Sequence, residues 1–501
     1  MTAASHTQSR QRLIALLSPL VLIFIGCRFL LLVLAPHQDP SEARYAEIAR
    51  KMVETGNWVT PQHYYGVPFW AKPPLSMWMS GWGMEIFGVN EFGSRIVIFA
   101  AALALLALVT RLASSEWSPR TGIAVAVILM GSPLFFYCSA AVMTDLPLAL
   151  GTTLAMVAFR FATKDQSRKW GYLFFVGLAI GLLAKGPLAL VIALPPVIGW
   201  TLCTRRFLIA WNSIPWISGT LLMLAISVPW YLIAEKQTPG FIDYFILGEH
   251  WHRFVDSGWK GDLYGKAHPQ PPGMIWIFAL AGTFPWCLGF LALPFRQWRH
   301  LKSWSLKKEG LGLYLVLWAV WPIFFFTPAR NVIATYPLPA LPAIALLLGG
   351  IWHFQREIFP GRFHPLHPAL ARTCLALMMA AISVTLLFPG KSPKHSERDL
   401  IRLFDNQASP EKRLVYFGSR RHSAEFYSQG KVMAILQQED LAQELGMPGT
   451  LYVAMPEKRY STLPDSIQEK FVLLSTFGEQ SALYREIDTA PATPHLEALH
   501  N

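Results

Sequence analysis

Eleven apolar runs recur along the first 389 residues, near 13–35, 91–110, 121–138, 146–163, 170–184, 187–203, 213–234, 273–295, 310–327, 336–351 and 373–388. Apolar stretches of about 17–25 residues are long enough to cross a bilayer as helices, and lipid leaves backbone no other open option than a helix or a closed barrel. The fifth and sixth runs are separated only by Lys185 and Gly186. Only 15% of residues are charged, against about 25% in soluble globular chains, and mean hydropathy is +0.34. Arg10 and Arg12 before the first run imitate a signal peptide, but the run reaches Ala35 and Arg28 stands where small cleavage-site residues belong. It reads as a retained first span.

The formal charge of +12 raises the question of nucleic acid until the charges are placed. Residues 1–389 hold 30 basic and 16 acidic side chains, and residues 390–501 hold 13 and 15. With the N-terminus in the cytoplasm and the spans alternating, the cytoplasmic segments carry seventeen Lys and Arg against Glu116, Asp165, Glu309 and Glu357. The longer outer loops carry ten basic and twelve acidic residues. That is the positive-inside pattern, and it excludes a soluble nucleic-acid binder. The expected architecture is mainly α: a polytopic domain over 1–389 with outer loops 36–90 and 235–272, followed by a small extracytoplasmic α/β domain over 390–501. In that tail, strand-like runs (413–417, 432–436, 450–454, 471–475) alternate with helix-like stretches (423–429, 439–445, 465–470). Cys27, Cys138, Cys203, Cys287 and Cys374 lie in or beside apolar runs without CxxC spacing, so neither a disulfide framework nor a zinc ribbon is written.

The first outer loop reads Asp39-Pro-Ser-Glu42-Ala-Arg44-Tyr45 and then follows a helical period to Gly56. A capping box with Asp39 at N-cap, Pro40 at N1 and Glu42 at N3 is the plain reading. Carboxylates at the mouth of a membrane protein also suit holding a hydroxyl or phosphate. Trp58, Trp70, Trp78 and Trp82 fit an interfacial belt, whereas Lys72-Pro73-Pro74 fixes an ammonium where a phosphate ligand would sit; a snorkelling lysine is the alternative. Asp145 opens the fourth span, Lys185 joins the fifth and sixth, and Arg28 lies within the first. Each has an anchoring or capping explanation, yet an ionisable group at a span is also a functional candidate. Arg28 suits pairing with Asp39, Asp145 or a phosphate. Glu249, His250 and His252 form at most a weak metal set, and Arg253 suits a phosphate clamp. Arg330 and Tyr336 open the tenth span.

The Asp-x-x-Glu-Ala-Arg-Tyr-Ala-Glu-Ile-Ala, Gly-Asn-Trp-Val, Lys-Pro-Pro and Phe-Gly-Val-Asn-Glu-Phe-Gly-Ser-Arg motifs of residues 39–95, with Glu-His-x-x-Arg-Phe at 249–254, resemble the bacterial aminoarabinose (lipid A) transferase family. These are relatives of the protein O-mannosyltransferases with the GT-C membrane fold, and the resemblance spans about residues 13–350. It implies a polyprenyl (undecaprenyl) phosphate-sugar donor, an acceptor such as lipid A or another periplasmic glycan or protein, and inverting transfer outside the cytoplasm of a bacterial inner membrane. On that expectation Asp39, Glu42 and Asp145 are catalytic, and Lys72, Lys185, Arg253, Arg330 and Tyr336 bind the donor phosphate. Arg44, Tyr45, Glu249, His250 and Arg28 support them. The family typically carries an acid before Lys-Pro-Pro, where this chain has Ala71; a divalent metal is therefore open, as is the sugar. Protein O-glycosylation and a polyprenyl-phosphate transporter are the competing readings. The second predicts ionisable groups along the spans, whereas here they collect on one side.

Overall fold

The computed structural model describes residues 19, 21–256, 259, 261–264, 268–291, 298–358, 368–387, 396–407, 411–418, 421–445, 447–477 and 481–486. The chain divides into two compact units: residues up to Ala35 with Ile48–Leu386, and Pro36–Glu47 with the chain from Leu387 on.

In the first unit, the helix α1 (Val21–Leu34) is followed by α2 (Ser41–Thr55), whose first residues count with the second unit. A short antiparallel pair, β1 (Gln62–Tyr64) and β2 (Val67–Pro68), precedes α3 (Leu75–Phe87). Helix α3 starts directly after Pro73 and Pro74, with Pro74 at its N-cap. Then come α4 (Glu91–Glu116), α5 (Pro119–Met130), α6 (Pro133–Cys138), α7 (Asp145–Asp165), α8 (Arg168–Lys185), α9 (Leu188–Thr204), α10 (Phe207–Ser213) and α11 (Trp216–Gln237). A π-helical segment, Tyr244–His252, lies between single turns α12 (Phe241–Asp243) and α13 (Arg253–Val255). The unit closes with α14 (Met274–Thr283), α15 (Leu288–Leu291), α16 (Trp298–Phe325), a 3₁₀ turn at Leu338–Ala340, α17 (Leu341–Ile358) and α18 (Pro368–Leu387).

Every apolar run holds helix, but not every run is one helix. The third divides at Gly131–Ser132 before Pro133, and the eighth stops at Thr283 before Pro285. The tenth begins only after Pro337 and Pro339. By length and composition α4, α7 and α11 alone among the described helices are long and apolar enough to cross a membrane. On α11, Ile217 (82% exposed) and Leu221 (62%) point outward, as lipid-facing side chains do.

Local signals explain the starts. Asn90 caps α4 by accepting from Gly93 N at 2.8 Å, and Ser118 caps α5 with Pro119 at its first position. Helix α7 packs closely on α8, because glycines face each other there. A Cβ on Gly151 would lie 2.6 Å from Gly181 N, and one on Gly177 would lie 2.5 Å from Ala155 N. Close approach through small residues is the usual way membrane helices gain packing energy.

One end of this unit is tied by charge. Arg160 donates to Glu116 at 3.0 Å and to Glu309 at 3.2 Å, Lys164 lies 3.3 Å from Glu116, and Arg206 lies 3.2 Å from Glu309. Glu116, Lys164, Arg206 and Glu309 come from segments assigned to one side by the alternation of spans, and they meet.

The second unit carries a five-stranded sheet in the order β4-β3-β5-β7-β6, with β3 (Arg413–Phe417), β4 (Met433–Ile435), β5 (Leu451–Met455), β6 (Phe471–Phe477) and β7 (Ser481–Glu486). β4, β3 and β5 are parallel; β7 runs antiparallel to β5 and β6. Helices α19 (Arg398–Asp405), α20 (His422–Tyr427), α21 (Gln438–Glu444), α22 (Glu457–Tyr460) and α23 (Asp465–Gln468) complete it. Alternate strand residues feed two cores, Val415, Phe417 and Val453 on one face and Leu414, Tyr416 and Tyr452 on the other. Burial on both faces makes β3 and β5 continuous apolar runs rather than alternating ones. The expected four strands are present; β7, α19 and α22 are additions.

Candidate functional site

Antiparallel packing of α7 against α8 brings Asp145, in the first turn of one, beside Lys185, in the last turn of the other. Lys185 Nζ donates to Asp145 Oδ1 at 2.8 Å, and both are buried. Each charge also sits at the favourable end of its helix dipole. Thr144 is the N-cap residue but makes no side-chain cap bond, and the Asp145 carboxylate is turned to the lysine instead of capping.

Lys185 Nζ lies 4.6 Å from the centre of the Tyr336 ring. The same residue's carbonyl faces His250 Nε2 at 3.1 Å, while His250 Nδ1 faces Phe245 O at 2.7 Å. Burial pushes the His250 pKa down, partly opposed by the bond to Phe245 O. Gly186 is required at this corner: its φ is +68°, and a Cβ would sit 2.6 Å from the Phe245 ring.

Glu249, on the π-helical turn, gathers two further cations. Lys72 Nζ donates to its Oε2 at 2.6 Å and Arg253 Nη1 to its Oε1 at 2.9 Å. Burial alone would raise the Glu249 carboxyl, but Lys72 and Arg253 outweigh it and hold the pKa below the usual range. Arg253 also lies 3.5 Å from Asp262. Lys72, Lys185, Glu249, His250, Arg253 and Tyr336 line one cavity of about 210 Å³. Its other walls are largely apolar, from Leu188, Val191, Phe254, Phe325 and Phe326, with Asn331. Three cations thus face carboxylate partners beside an apolar wall, an arrangement suited to the phosphate of a lipid.

The remaining candidates lie elsewhere. Arg28 donates to Ser139 Oγ at 3.1 Å and Tyr137 O at 2.9 Å and covers the Phe136 ring. Arg330 is exposed and is not among the residues lining the cavity. Asp39, Glu42, Arg44 and Tyr45 belong to the second unit. There Asp39 is not the N-cap of a capping box: its carboxylate accepts from Ser423 N at 3.2 Å and from Ser423 Oγ. Glu42 lies 3.5 Å from His37, and the Arg44 guanidinium lies over the Tyr45 ring. Among the described residues no three metal-ligating side chains converge. Glu249 is committed to two cations, and His252 stacks on Trp259; this set does not fit a metal site. Sequence reading missed Asp262 and the phenylalanine wall, which carry no motif of their own.

Burial pushes Asp39 up from 3.8 to about 6, with Ser423 opposing and Glu397 adding to the rise. The folded state therefore holds this proton more tightly than the unfolded chain. Its contribution, about 3 kcal/mol at about 1.4 kcal/mol per pH unit, is fully present below pH 4 and is lost as pH rises through 6. We expect thermal stability in detergent to fall across that window, and the Asp39-dependent part of the fall to vanish in Asp39→Asn.

The long apolar helices are those of a multi-pass membrane protein, and its fold is the GT-C fold of the solved structure described below. A family model for dolichyl-phosphate-mannose-protein mannosyltransferases matches residues 12–245. The undecaprenyl phosphate-α-4-amino-4-deoxy-L-arabinose arabinosyl transferase of Erwinia tasmaniensis is 33% identical over 319 residues, covering 62% of this chain and 54% of that protein. A corresponding transferase of Pseudomonas fluorescens Pf0-1 is 31% identical, covering 72% and 62%. The chain thus spans about half to three-fifths of these curated relatives' length. ArnT from Cupriavidus metallidurans, solved bound to undecaprenyl phosphate, superposes with a TM-score of 0.72 at 18% identity, covering 95% of this chain and 98% of that one. In sequence and in fold the chain is aminoarabinose transferase-like.

Proposed function

We propose that the protein transfers a sugar from a polyprenyl (undecaprenyl) phosphate donor to lipid A or a related cell-envelope acceptor, with inversion. The observation that carries this reading is the cavity in which Lys72, Lys185, Arg253 and Tyr336 meet beside an apolar wall. The three cations stabilise the charge that grows on the leaving lipid phosphate. An acceptor oxygen attacks the anomeric carbon as the bond to the phosphate oxygen breaks. The lipid phosphate leaves, and the acceptor proton passes to a carboxylate. We assign that base to Asp39, with Glu42 and Asp145 orienting acceptor and donor. An acceptor phosphate that is already ionised needs no base. The positive-inside bias supports a bacterial inner-membrane location with the N-terminus cytoplasmic and residues 390–501 periplasmic.

Mass spectrometry of lipid A and of periplasmic glycoproteins, in cells with the wild-type chain and with Arg253→Ala, tests the reading. A pentose or hexose increment on lipid A that disappears in the variant is expected. An increment on protein would move the acceptor to the mannosyltransferase side of the family. No increment on either would overturn the proposal.

A further inference from the structure

The second unit holds a buried polar cluster that the transfer reaction does not by itself require. Ser423 is fully buried at the start of α20. It gives Asp39 two donors, its amide to Oδ1 at 3.2 Å and its hydroxyl to Oδ2, so both oxygens and the carboxylate plane are fixed. A hydroxyl has one proton and can rotate. Here rotation is stopped from the other side, because Glu397 N donates to Ser423 Oγ at 3.0 Å and the proton is left pointing at Asp39. Glu397 is itself saturated: Tyr416 OH donates to it at 2.9 Å, Ser481 Oγ at 2.8 Å, and Arg421 lies 3.8 Å away. One serine is therefore held between the Asp39 carboxylate and the Glu397 amide, 384 residues from the loop it orients.

We propose that Ser423 is a positioning residue for Asp39, and that the C-terminal segment thereby sets the orientation and basicity of the carboxylate used as general base. This rests on the transferase reading. The chemical logic is that a donated hydrogen bond favours the ionised form and a neighbouring like charge disfavours it. Ser423 and Arg421 act in the first sense and Glu397 in the second. Tyr416, on β3, faces the same cluster. His37 and Glu42, on Asp39's own loop, are paired with each other.

The test compares full-length wild type, Ser423→Ala, Glu397→Gln and Asp39→Asn in detergent, with two readouts. The acid limb of the kcat/KM profile should move to higher pH by about half a unit or more in Ser423→Ala and to lower pH in Glu397→Gln. Loosened packing would lower both rates without moving the two limbs in opposite directions. The pH midpoint of the thermal-stability fall between pH 4 and 6 should move in the same two directions, and it needs no turnover. If wild type transfers nothing, the proposed function fails while the stability midpoint still decides whether Ser423 controls Asp39. If neither limb nor midpoint moves, or if Asp39→Asn keeps the wild-type rate, the positioning role is overturned.

Discussion

Lys185→Met should lower turnover by more than about 100-fold, the scale of losing one charge-stabilising donor, and should also lower the melting temperature. Two effects combine. Lys185 is one of three cations on the cavity, and it is the partner of buried Asp145 at 2.8 Å. Removing one member of a buried pair leaves an uncompensated charge and costs about 3–5 kcal/mol. The two effects separate in the double variant Lys185→Met/Asp145→Asn, which leaves no charge stranded. It should regain most of the stability and none of the turnover, and binding of undecaprenyl phosphate should stay weakened by about 10-fold or more, one lost charge-assisted contact. Thermal unfolding and lipid-phosphate titration on the four members of the cycle read both quantities. Recovery of turnover in the double variant would show that Lys185 serves packing alone.

Arg160→Met should produce the opposite profile. Arg160 and Glu116 are both buried, and the guanidinium also reaches Glu309. Its loss leaves Glu116 with Lys164 at 3.3 Å, a cation whose side chain is 29% exposed. The expected loss sits near the lower end of the range for a broken buried pair, about 3 kcal/mol. Arg160 lies fifteen residues along α7 from Asp145, about 22 Å at about 1.5 Å per residue. The affinity for undecaprenyl phosphate, measured on the folded protein, should therefore stay within about twofold, the scatter expected between independent sites. A parallel fall in affinity would show that the two ends of α7 are coupled.

The candidate site was partly legible before any folding was considered. Lys72, Lys185, His250, Arg253 and Tyr336 stand out as charges or polar rings beside apolar spans, where anchoring is an equal explanation, and all five line the cavity. Their counter-ions were not legible as such. Glu249 looked like part of a metal set, yet it neutralises Lys72 from 177 residues away. Asp39 looked like a helix cap, yet its hydrogen bonds come from Ser423. Arg330 carried the right charge in the right loop and is exposed at the surface.

Prolines show the same divide in the fold. Pro195, Pro196, Pro229 and Pro322 lie inside continuing helices, while Pro133 and Pro285 coincide with breaks. Sequence shows that a donor is missing at each, but neighbouring helices decide whether the freed carbonyl is satisfied.

By itself, then, the sequence determined the number and polarity of the apolar runs, the asymmetry of the loop charges, and four of the tail's strands. Each of these follows from local period and solvent preference. Only the tertiary structure decided which charges pair and what walls the cavity. Those depend on the register of packed helices, set at α7 and α8 by Gly151, Gly177 and Gly181, and on a serine 384 residues from the carboxylate it holds.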